Sequence, residues 1–322
     1  MKPFSFIVTG GAGFIGRNII DALNARGHDD ILVVDALNNP EKEANLASVR
    51  YAEFMDKDAF REALLAGEMT AVKTVFHLGA CSSTMQLDVD FLNDNNVLYT
   101  QQVCTWCSDN DVRFIYASSA ATYGDGEHGY SDDEANIQEL KPLNPYGQSK
   151  QDFDLWARER GLLDHIVGLK YFNVYGPFES HKGDMRSVVN KAYGWIQDTG
   201  ELSLFKSYRP DFADGEQNRD FIYVKDAVAV TLFFHDHPEV SGLFNCGTGE
   251  ARTWVDLGRA IFAAMDLEPK IKMIEMPDAL RNHYQYHTQA DATKLRECGF
   301  TQPFMSIEEG VDDYVRNYLA ND

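Results

Sequence analysis

The sequence has few basic residues for its size. Its 322 residues include 29 lysines and arginines against 50 aspartates and glutamates, which gives a formal net charge of −21 at pH 7. Nucleic acids and anionic membranes bind basic surfaces, so neither is expected as a main partner. A ligand that carries phosphates must therefore be held by local cations and backbone N–H groups against an unfavourable overall field.

Long apolar runs and a cysteine framework are also missing. No run of about eighteen apolar residues occurs, so we expect no membrane span, and Met1–Gly10 lacks the apolar region of a signal peptide. The five cysteines are odd in number and sparsely spaced, which fits a reducing, cytoplasmic location. Cys104 and Cys107 form a CxxC pair inside a predicted helix. With no second pair to complete a zinc site, we interpret them as two buried thiols and expect no metal.

Strand and helix patterns alternate through the first half of the chain. Runs such as Ile31–Val34 are apolar throughout, which is typical of a parallel sheet covered on both faces. The βα order predicts right-handed crossovers and an α/β fold with a doubly wound Rossmann sheet. The predicted strands are Phe4–Thr9, Ile31–Asp35, Thr74–Leu78, Arg113–Ser118 and Ile166–Phe172, and the predicted helices are Gly13–Arg26, Asp56–Ala66, Leu92–Ser108 and Tyr146–Arg160.

The second half is less regular and predicts a smaller, mixed α/β substrate-binding lobe. Its predicted elements are a strand–helix unit at Asp220–His235, a strand at Leu243–Cys246, and helices at Thr253–Met265 and Ser306–Leu319. We assign 1–172 to a dinucleotide-binding domain, with returning segments at about 219–248 and 285–293, and 173–218 with 249–322 to the lobe.

The strongest local motif is the glycine loop Thr9-Gly10-Gly11-Ala12-Gly13-Phe14-Ile15-Gly16, between a predicted strand and a predicted helix. Gly10 permits the tight turn, Gly13 lets the backbone approach a pyrophosphate, and Gly16 lets helix and strand pack closely. The anion would then lie at the helix N-terminus, where free N–H groups and the helix dipole favour it. The GxxGxxG spacing is the variant associated with short-chain dehydrogenases.

The preference between NAD and NADP depends on the end of the second predicted strand. Asp35 lies there, 22 residues after Gly13, and can bind the adenosine ribose hydroxyls, which favours NAD. A 2′-phosphate would need a cation instead, and Lys42 could supply one. The residues alone leave the cofactor open, and they leave open that Lys42 is a surface charge with no partner.

A second motif, YxxxK, lies in Asn144–Lys150 at a predicted helix start, which places Tyr146 and Lys150 on one helix face. A tyrosine is a poor base near neutrality, but a neighbouring ammonium should lower the pKa of Tyr146. Tyr146 could then accept a proton from a substrate hydroxyl, which Ser119 would polarise. Lys150 could also bond the nicotinamide ribose. The alternative is a structural tyrosine and lysine.

Together these motifs resemble the ADP-L-glycero-D-manno-heptose 6-epimerases, a family of extended short-chain dehydrogenases. The resemblance runs nearly end to end, and its more specific parts are Gly79–Thr84 and His181–Gly183. The related nucleotide-sugar 4,6-dehydratases carry an Asp-Glu pair where Ala120 and Ala121 stand. Neither alanine can move a proton, so dehydration is disfavoured.

The resemblance implies tightly held NADP, with NAD less favoured, and an ADP-heptose substrate of lipopolysaccharide inner-core synthesis. The C6″ carbinol would be oxidised and its ketone reduced from the opposite face. Inversion places the hydroxyl on different sides, so the resemblance implies Lys182 as a second acid/base opposite Tyr146, its charge suppressed by burial or a nearby cation. Residue chemistry alone favours a loop lysine that contacts phosphate. The family also implies a homo-oligomer, often a pentamer.

Further contacts follow from the same resemblance. The implied cofactor contacts are Gly10, Gly13, Phe14, Ile15, Gly16, Asp35, Ala36, Lys42, Lys57, Leu78, Gly79, Ala80, Cys81, Ser82, Asn95, Lys150, Val174 and Lys182. The implied substrate contacts are Ser119, Asn173, Asp184, Lys191, Phe205, Lys206, Ser207, Tyr208, Arg219 and Tyr284. The chain departs from the family pattern at Leu78, Asp184 and Lys191. The alternatives are a UDP-hexose 4-epimerase that uses NAD, and a nucleotide-sensing or scaffold protein without catalysis.

Overall fold

Strands and helices alternate through residues 4–281 and 284–321, the part of the chain that this computed structural model describes. The strands are β1 Phe6–Thr9, β2 Ile31–Asp35, β3 Glu53–Asp56, β4 Thr74–His77, β5 Arg113–Ser119, β6 Val167–Tyr171, β7 Asn173–Tyr175, β8 Leu202–Phe205, β9 Asn218–Tyr223, β10 Gly242–Cys246, β11 Ala251–Thr253 and β12 Ile271–Ile274. The α-helices are α1 Phe14–Ala25, α2 Pro40–Leu46, α3 Lys57–Leu65, α4 Val89–Leu92, α5 Tyr99–Asp109, α6 Pro145–Glu159, α7 Val188–Thr199, α8 Val224–Asp236, α9 Trp254–Ala264, α10 Asp278–Arg281, α11 Thr293–Glu297 and α12 Ile307–Tyr314.

The main sheet has seven strands in the order β10-β6-β5-β4-β1-β2-β3 among the described residues. Each neighbouring pair is parallel. Helices cover both faces, which is why β1, β2 and β4 are buried along their whole length. The prediction of a doubly wound α/β sheet is confirmed. The strand order reverses between β1 and β4, where Thr9 is paired with His77, and ligands of such sheets bind in the crevice at this point.

The predicted strands and helices are present with small differences at their ends, but the helices predicted at Leu92–Ser108 and Ser306–Leu319 are not regular. The first consists of α4, a π-helical segment at Asn93–Leu98 and α5, and the second consists of α12 and a π-helical segment at Val315–Leu319. The short, partly exposed strand β3 and the helices α2 and α7 were not individually predicted. Strand β3 has no apolar run, and α2 has seven residues, so neither gives a clear periodic signal.

The second half of the described chain contains two smaller sheets. β9 pairs in parallel with β7 and antiparallel with β11, and β8 pairs in parallel with β12. β10 instead rejoins the main sheet beside β6. The division into a dinucleotide-binding domain and a substrate lobe stays a prediction.

The interpretation of Cys104 and Cys107 as buried thiols is confirmed. Both are free and fully buried on α5, where they pack under the main sheet. Burial raises the pKa of the Cys104 thiol to about 12, so it stays protonated and unreactive near neutrality. Among the described residues, none of the helices has the length and apolar character needed to cross a membrane.

Candidate active site

A cleft of about 580 Å³ opens at the carboxyl ends of β1, β4 and β5. Elements far apart in sequence meet here: the glycine loop, the start of α6, and the turn Ser180–Met185 that follows β7. The predicted residues that line it are Gly10, Gly13, Phe14, Ile15, Gly16, Asp35, Lys42, Leu78, Gly79, Ala80, Cys81, Ser82, Ser119, Tyr146, Lys150, Val174 and Lys182. All four predicted catalytic side chains therefore face one cavity.

The glycine loop has the backbone geometry that its motif requires. Gly10 has φ +66°, and a Cβ there would lie 2.8 Å from the backbone N of Gly79. A Cβ on Gly16 would lie 2.2 Å from the Gly10 carbonyl oxygen. Gly13 caps α1 without a side chain, so the first N–H groups of that helix are left for a ligand. The loop fits the pyrophosphate of a dinucleotide.

Asp35 and Lys42 form an ion pair at the end of β2. Lys42 Nζ donates to Asp35 Oδ1 at 2.7 Å, and the other carboxylate oxygen accepts the Ala12 N–H at 2.9 Å. Asp35 is buried, so its orientation is fixed by these contacts and by a bond from the N–H of Ala36. Lys42 is therefore not a surface charge without a partner. A carboxylate and a cation both stand where an adenosine ribose would bind.

A smaller pocket of about 400 Å³ adjoins this ion pair and brings together Ala36, Lys57 and Asn95. Lys57 Nζ donates to Asn95 Oδ1 at 3.0 Å. Asn95 belongs to the π-helical segment, a distortion that occurs often at functional sites. The neighbouring Asn96 bonds the backbone N and O of Cys81, at 2.8 and 3.0 Å, and thereby fixes the loop after β4. Together the loop, ion pair and pocket provide the donors that a dinucleotide needs.

Helix α6 carries Tyr146 and Lys150 one turn apart, and Asn144 caps its start through the Gly147 N–H at 2.8 Å. Lys150 Nζ donates to the Ala117 carbonyl at 2.8 Å, and burial lowers its pKa to about 8. Burial also raises the pKa of Tyr146, which a hydrogen bond with Ser119 offsets only in part. In the chain without cofactor the Tyr146 pKa is therefore raised, not lowered as expected, because desolvation of the phenolate outweighs the Ser119 hydrogen bond.

A buried ion pair behind α6 was not predicted. Lys170 Nζ lies 2.7 Å from Asp154 Oδ2, and both side chains are 0% exposed. Asp154 also accepts the hydroxyls of Tyr116 at 2.8 Å and Ser118 at 2.7 Å. These bonds attach α6 to β5 and β6. Two sequence signals could have indicated this pair: Asp154 lies one helical turn after Lys150, and Lys170 is a lysine inside an apolar strand.

The turn Ser180–Met185 faces the cleft from the other side. The segment before it is attached to α1: Asn18 Nδ2 donates to the Pro177 carbonyl at 3.1 Å. The Arg17 guanidinium lies 3.5 Å from the centroid of the Phe178 ring, whose residue has φ +73°. Asn45, on α2, donates to the Phe178 carbonyl at 3.3 Å. The turn is therefore held against the elements that surround the glycine loop.

Lys182 extends from this turn over the start of α1. Its Nζ lies 5.1 Å from the centroid of the Phe14 ring. Burial lowers the pKa of Lys182, Glu179 opposes that change, and Lys191 adds to it. A lysine acts as a base only when it can lose its proton, and this direction of the shift favours that.

Most predicted substrate contacts form a separate group around β9. Arg219 is buried, with its guanidinium 5.3 Å from the centroid of the Tyr284 ring, and the Phe205 and Tyr284 rings lie 6.4 Å apart. Asn173 donates to the Asp220 carbonyl at 3.1 Å beside them. In the loop after β8, Lys206 and Tyr208 both bond Glu275, and the Ser207 N–H donates to Asp214. Lys191 donates to the exposed Asp184 backbone at 3.1 Å, next to the Lys182 turn.

The reversed strand order, the glycine loop and the cleft define a dinucleotide-binding protein of the Rossmann class. A family model described as "NAD dependent epimerase/dehydratase family" matches residues 6–247, and the chain belongs to this family. It is 54% identical over 316 residues, 98% of each chain, to an ADP-L-glycero-D-manno-heptose-6-epimerase of Nitratidesulfovibrio vulgaris (strain DP4).

Solved structures resemble the chain over its whole length. The ADP-L-glycero-D-manno-heptose-6-epimerase of Helicobacter pylori is similar with a TM-score of 0.83 and 25% identity, covering 99% of this chain and 97% of that one. A UDP-N-acetylglucosamine 4-epimerase from Methanobrevibacter ruminantium M1 is similar with a TM-score of 0.82 and 26% identity, covering 100% of both chains.

Proposed function

We propose that the chain inverts C6″ of ADP-D-glycero-β-D-manno-heptose to give ADP-L-glycero-β-D-manno-heptose, an isomerisation in the synthesis of the lipopolysaccharide inner core. Its 54% identity to a heptose 6-epimerase over 98% of both chains supports the substrate. The observation that carries the mechanism is that Tyr146 and Lys182 line one cleft from different elements. A nicotinamide cofactor follows from the family.

Two proton-transfer groups suit a reaction that inverts a carbinol. When bound, a nicotinamide would supply hydride transfer: the C6″ hydrogen would leave as hydride with its electron pair and return to the opposite face of the ketone. Tyr146 would exchange the hydroxyl proton of one epimer, with Ser119 polarising the same oxygen. Lys182 would exchange the proton of the other epimer, whose hydroxyl points away from Tyr146. Lys150, held by the Ala117 carbonyl, would bond the cofactor ribose and keep positive charge beside Tyr146.

The cofactor of the proposal is NADP. Lys42 and Lys57 supply two cations at the adenosine end, and a 2′-phosphate would draw Lys42 away from Asp35. Replacing one cation removes a charge-assisted hydrogen bond, so Lys42→Ala should weaken NADP binding about 10- to 100-fold and NAD binding little. Calorimetric titration measures both affinities, with the exposed Lys225→Ala as control. Equal losses for both cofactors would contradict the NADP assignment.

A UDP-hexose 4-epimerase is the rival within the family, because such enzymes share the fold. A turnover assay with ADP-heptose and with UDP-galactose separates the two. We expect epimerisation of the ADP-heptose only, and a loss of about 10²- to 10⁴-fold in Tyr146→Phe. Tyr223→Phe, which removes a buried hydroxyl bonded to Asp313, is the matched control and should keep activity. Activity with the UDP sugar alone would refute the proposal.

The proposal also includes a cytoplasmic location and a homo-oligomer, with a pentamer as the family's usual assembly. Native mass spectrometry of the purified protein gives the number of chains and the mass of any cofactor that stays bound. A pentamer with one NADP per chain is the expected result. A bound NAD would favour the hexose epimerase instead.

A further inference from the structure

A buried carboxylate, Glu179, lies at the base of the turn that carries Lys182 and has no part in the reaction above. Its side chain is 0% exposed. Oε1 accepts the Ser187 hydroxyl at 2.6 Å and the Tyr314 hydroxyl at 3.2 Å, and Oε2 accepts the Ser187 N–H at 2.6 Å. A buried carboxylate is costly unless it is paired or hydrogen-bonded, and these three bonds compensate the burial of Glu179.

These hydrogen bonds attach Glu179, and with it the start of the turn, to two helices. Ser187 is the N-cap residue of α7, and Tyr314 is the last residue of α12. The Lys182 N–H donates to the Glu179 carbonyl at 3.0 Å, so the backbone of Glu179 begins the same turn that its side chain anchors. Through this one residue, the position of Lys182 depends on two helices, α7 and α12.

Two charged neighbours act on the Lys182 amine. Burial lowers the pKa of Lys182; Glu179 raises it and Lys191, on α7, lowers it. The adjacent His181 has a pKa lowered to about 4, so it is neutral near pH 7. Burial raises the pKa of Glu179, and the Lys182 charge and the bonds from Ser187 and Tyr314 oppose that change. Glu179 is the one anion among these neighbours.

Resting on the function proposed above, we propose that Glu179 is a positioning residue for Lys182. Its buried carboxylate holds the turn Ser180–Met185 against α7 and α12 and stabilises the charged form of the Lys182 amine at the cleft. The Lys182 amine would therefore be able to donate a proton as well as to accept one, which an epimerase that runs in both directions requires.

The test measures the proton affinity of Lys182 without any substrate. Competitive labelling with acetic anhydride across pH, read by peptide mass spectrometry, gives the midpoint at which the Lys182 amine loses its proton. In Glu179→Gln the midpoint should move down by about one pH unit, because an anion near the amine is lost. Glu179→Asp keeps the charge and should label as the wild type does. An unchanged midpoint in Glu179→Gln would overturn the proposal, and exposed Glu201→Gln is the matched control.

Turnover provides the second readout and separates this inference from the proposed function. Glu179→Gln should lower kcat for epimerisation about 10- to 100-fold with little change in KM, because a displaced turn affects the reacting geometry more than binding. Tyr314→Phe, which removes one donor and keeps the charge, covers the case in which Glu179→Gln does not fold. It should lower kcat less. If Glu179→Gln shifts the labelling midpoint but the wild-type chain has no epimerase activity, only the proposed function is refuted. If the wild-type chain is an active epimerase but Glu179→Gln does not shift the midpoint, only the role of Glu179 is refuted.

Discussion

The two sides of the cleft are built in different ways. On one side, Tyr146 and Lys150 lie one turn apart on the 15-residue helix α6. On the other side, Lys182 lies on a short turn whose preceding segment is attached to α1, α2 and α12 by bonds between residues 159, 133 and 135 positions apart. The first side is specified by local sequence and the second by long-range contacts. One half of the site is therefore visible as a sequence motif, and the other half is not.

Substitutions on the two sides of the cleft should therefore have different effects. Helix α6 is fixed by the buried pair of Asp154 and Lys170, so damage there should appear in the stability of the whole protein. The Lys182 turn is held mainly by single hydrogen bonds and by the Arg17 guanidinium on the Phe178 ring, and it should loosen locally while the sheet stays folded. The following predictions test that contrast, beginning with the largest expected effect.

Asp154→Asn should lower the free energy of unfolding by about 3–5 kcal/mol, because it leaves the Lys170 charge buried without its carboxylate counter-ion. Urea unfolding followed by circular dichroism measures the change. The double variant Asp154→Asn with Lys170→Met should recover most of the loss, since both charges are then removed. A single variant as stable as the wild type would show that α6 does not depend on this pair.

Gly183→Ala should strain the Lys182 turn by about 1–3 kcal/mol, because Gly183 has φ +53° and ψ −123°, which an alanine adopts poorly. Nothing lies within 4 Å of the added Cβ, so the cost is purely conformational. We expect kcat to fall about tenfold or more with the sheet intact. Gly194→Ala, in the middle of α7 with equally open space, should instead raise stability by about 0.5–1 kcal/mol and leave kcat unchanged. Equal kcat in the two variants would contradict local control by the turn.

The smallest effect concerns pH. Burial lowers the pKa of His181 from 6.5 to about 4, and the Asn45 amide nitrogen, 3.2 Å from Nδ1, can only donate, so the bond requires a neutral ring. The pKa of His181 is lower in the folded chain than in the unfolded chain. The stability that neutral His181 contributes is therefore fully present above pH 6.5 and is lost as pH falls through about 4. His181→Gln should therefore show a shallower loss of stability in this window than the wild type. The exposed His128→Gln should not. Partial exposure of His181 keeps the effect modest.

The two sides of the cleft also differ in how far they can be predicted from the sequence. Apolar strands and the glycine loop are local patterns, so the order of β1, α1 and β2 could be predicted, as could the common helix face of Tyr146 and Lys150. The proximity of Lys182 to Phe14 could not, because it depends on how Asn18 and Asn45 bond a segment that is distant in sequence. Family resemblance suggested Lys182, but nothing in its local pattern did.

The pKa of Tyr146 could not be predicted from the sequence, for a different reason. Helical spacing predicts a neighbouring lysine, yet it says nothing about how deeply the phenol is buried. In the folded chain burial sets the direction, and the Tyr146 pKa rises. Charge neighbours can be read from sequence, whereas desolvation depends on the packing of distant elements around the group.

The central claim is that Tyr146 and Lys182 serve opposite epimers. The most direct test mixes Tyr146→Phe and Lys182→Met, each loaded with oxidised cofactor, with each of the two C6″ epimers of the ADP-heptose and follows formation of reduced nicotinamide in a single turnover. We predict that each variant oxidises only one epimer, and that the two variants accept opposite ones. Loss of the same epimer in both variants, or full epimerisation by Lys182→Met, would contradict the account.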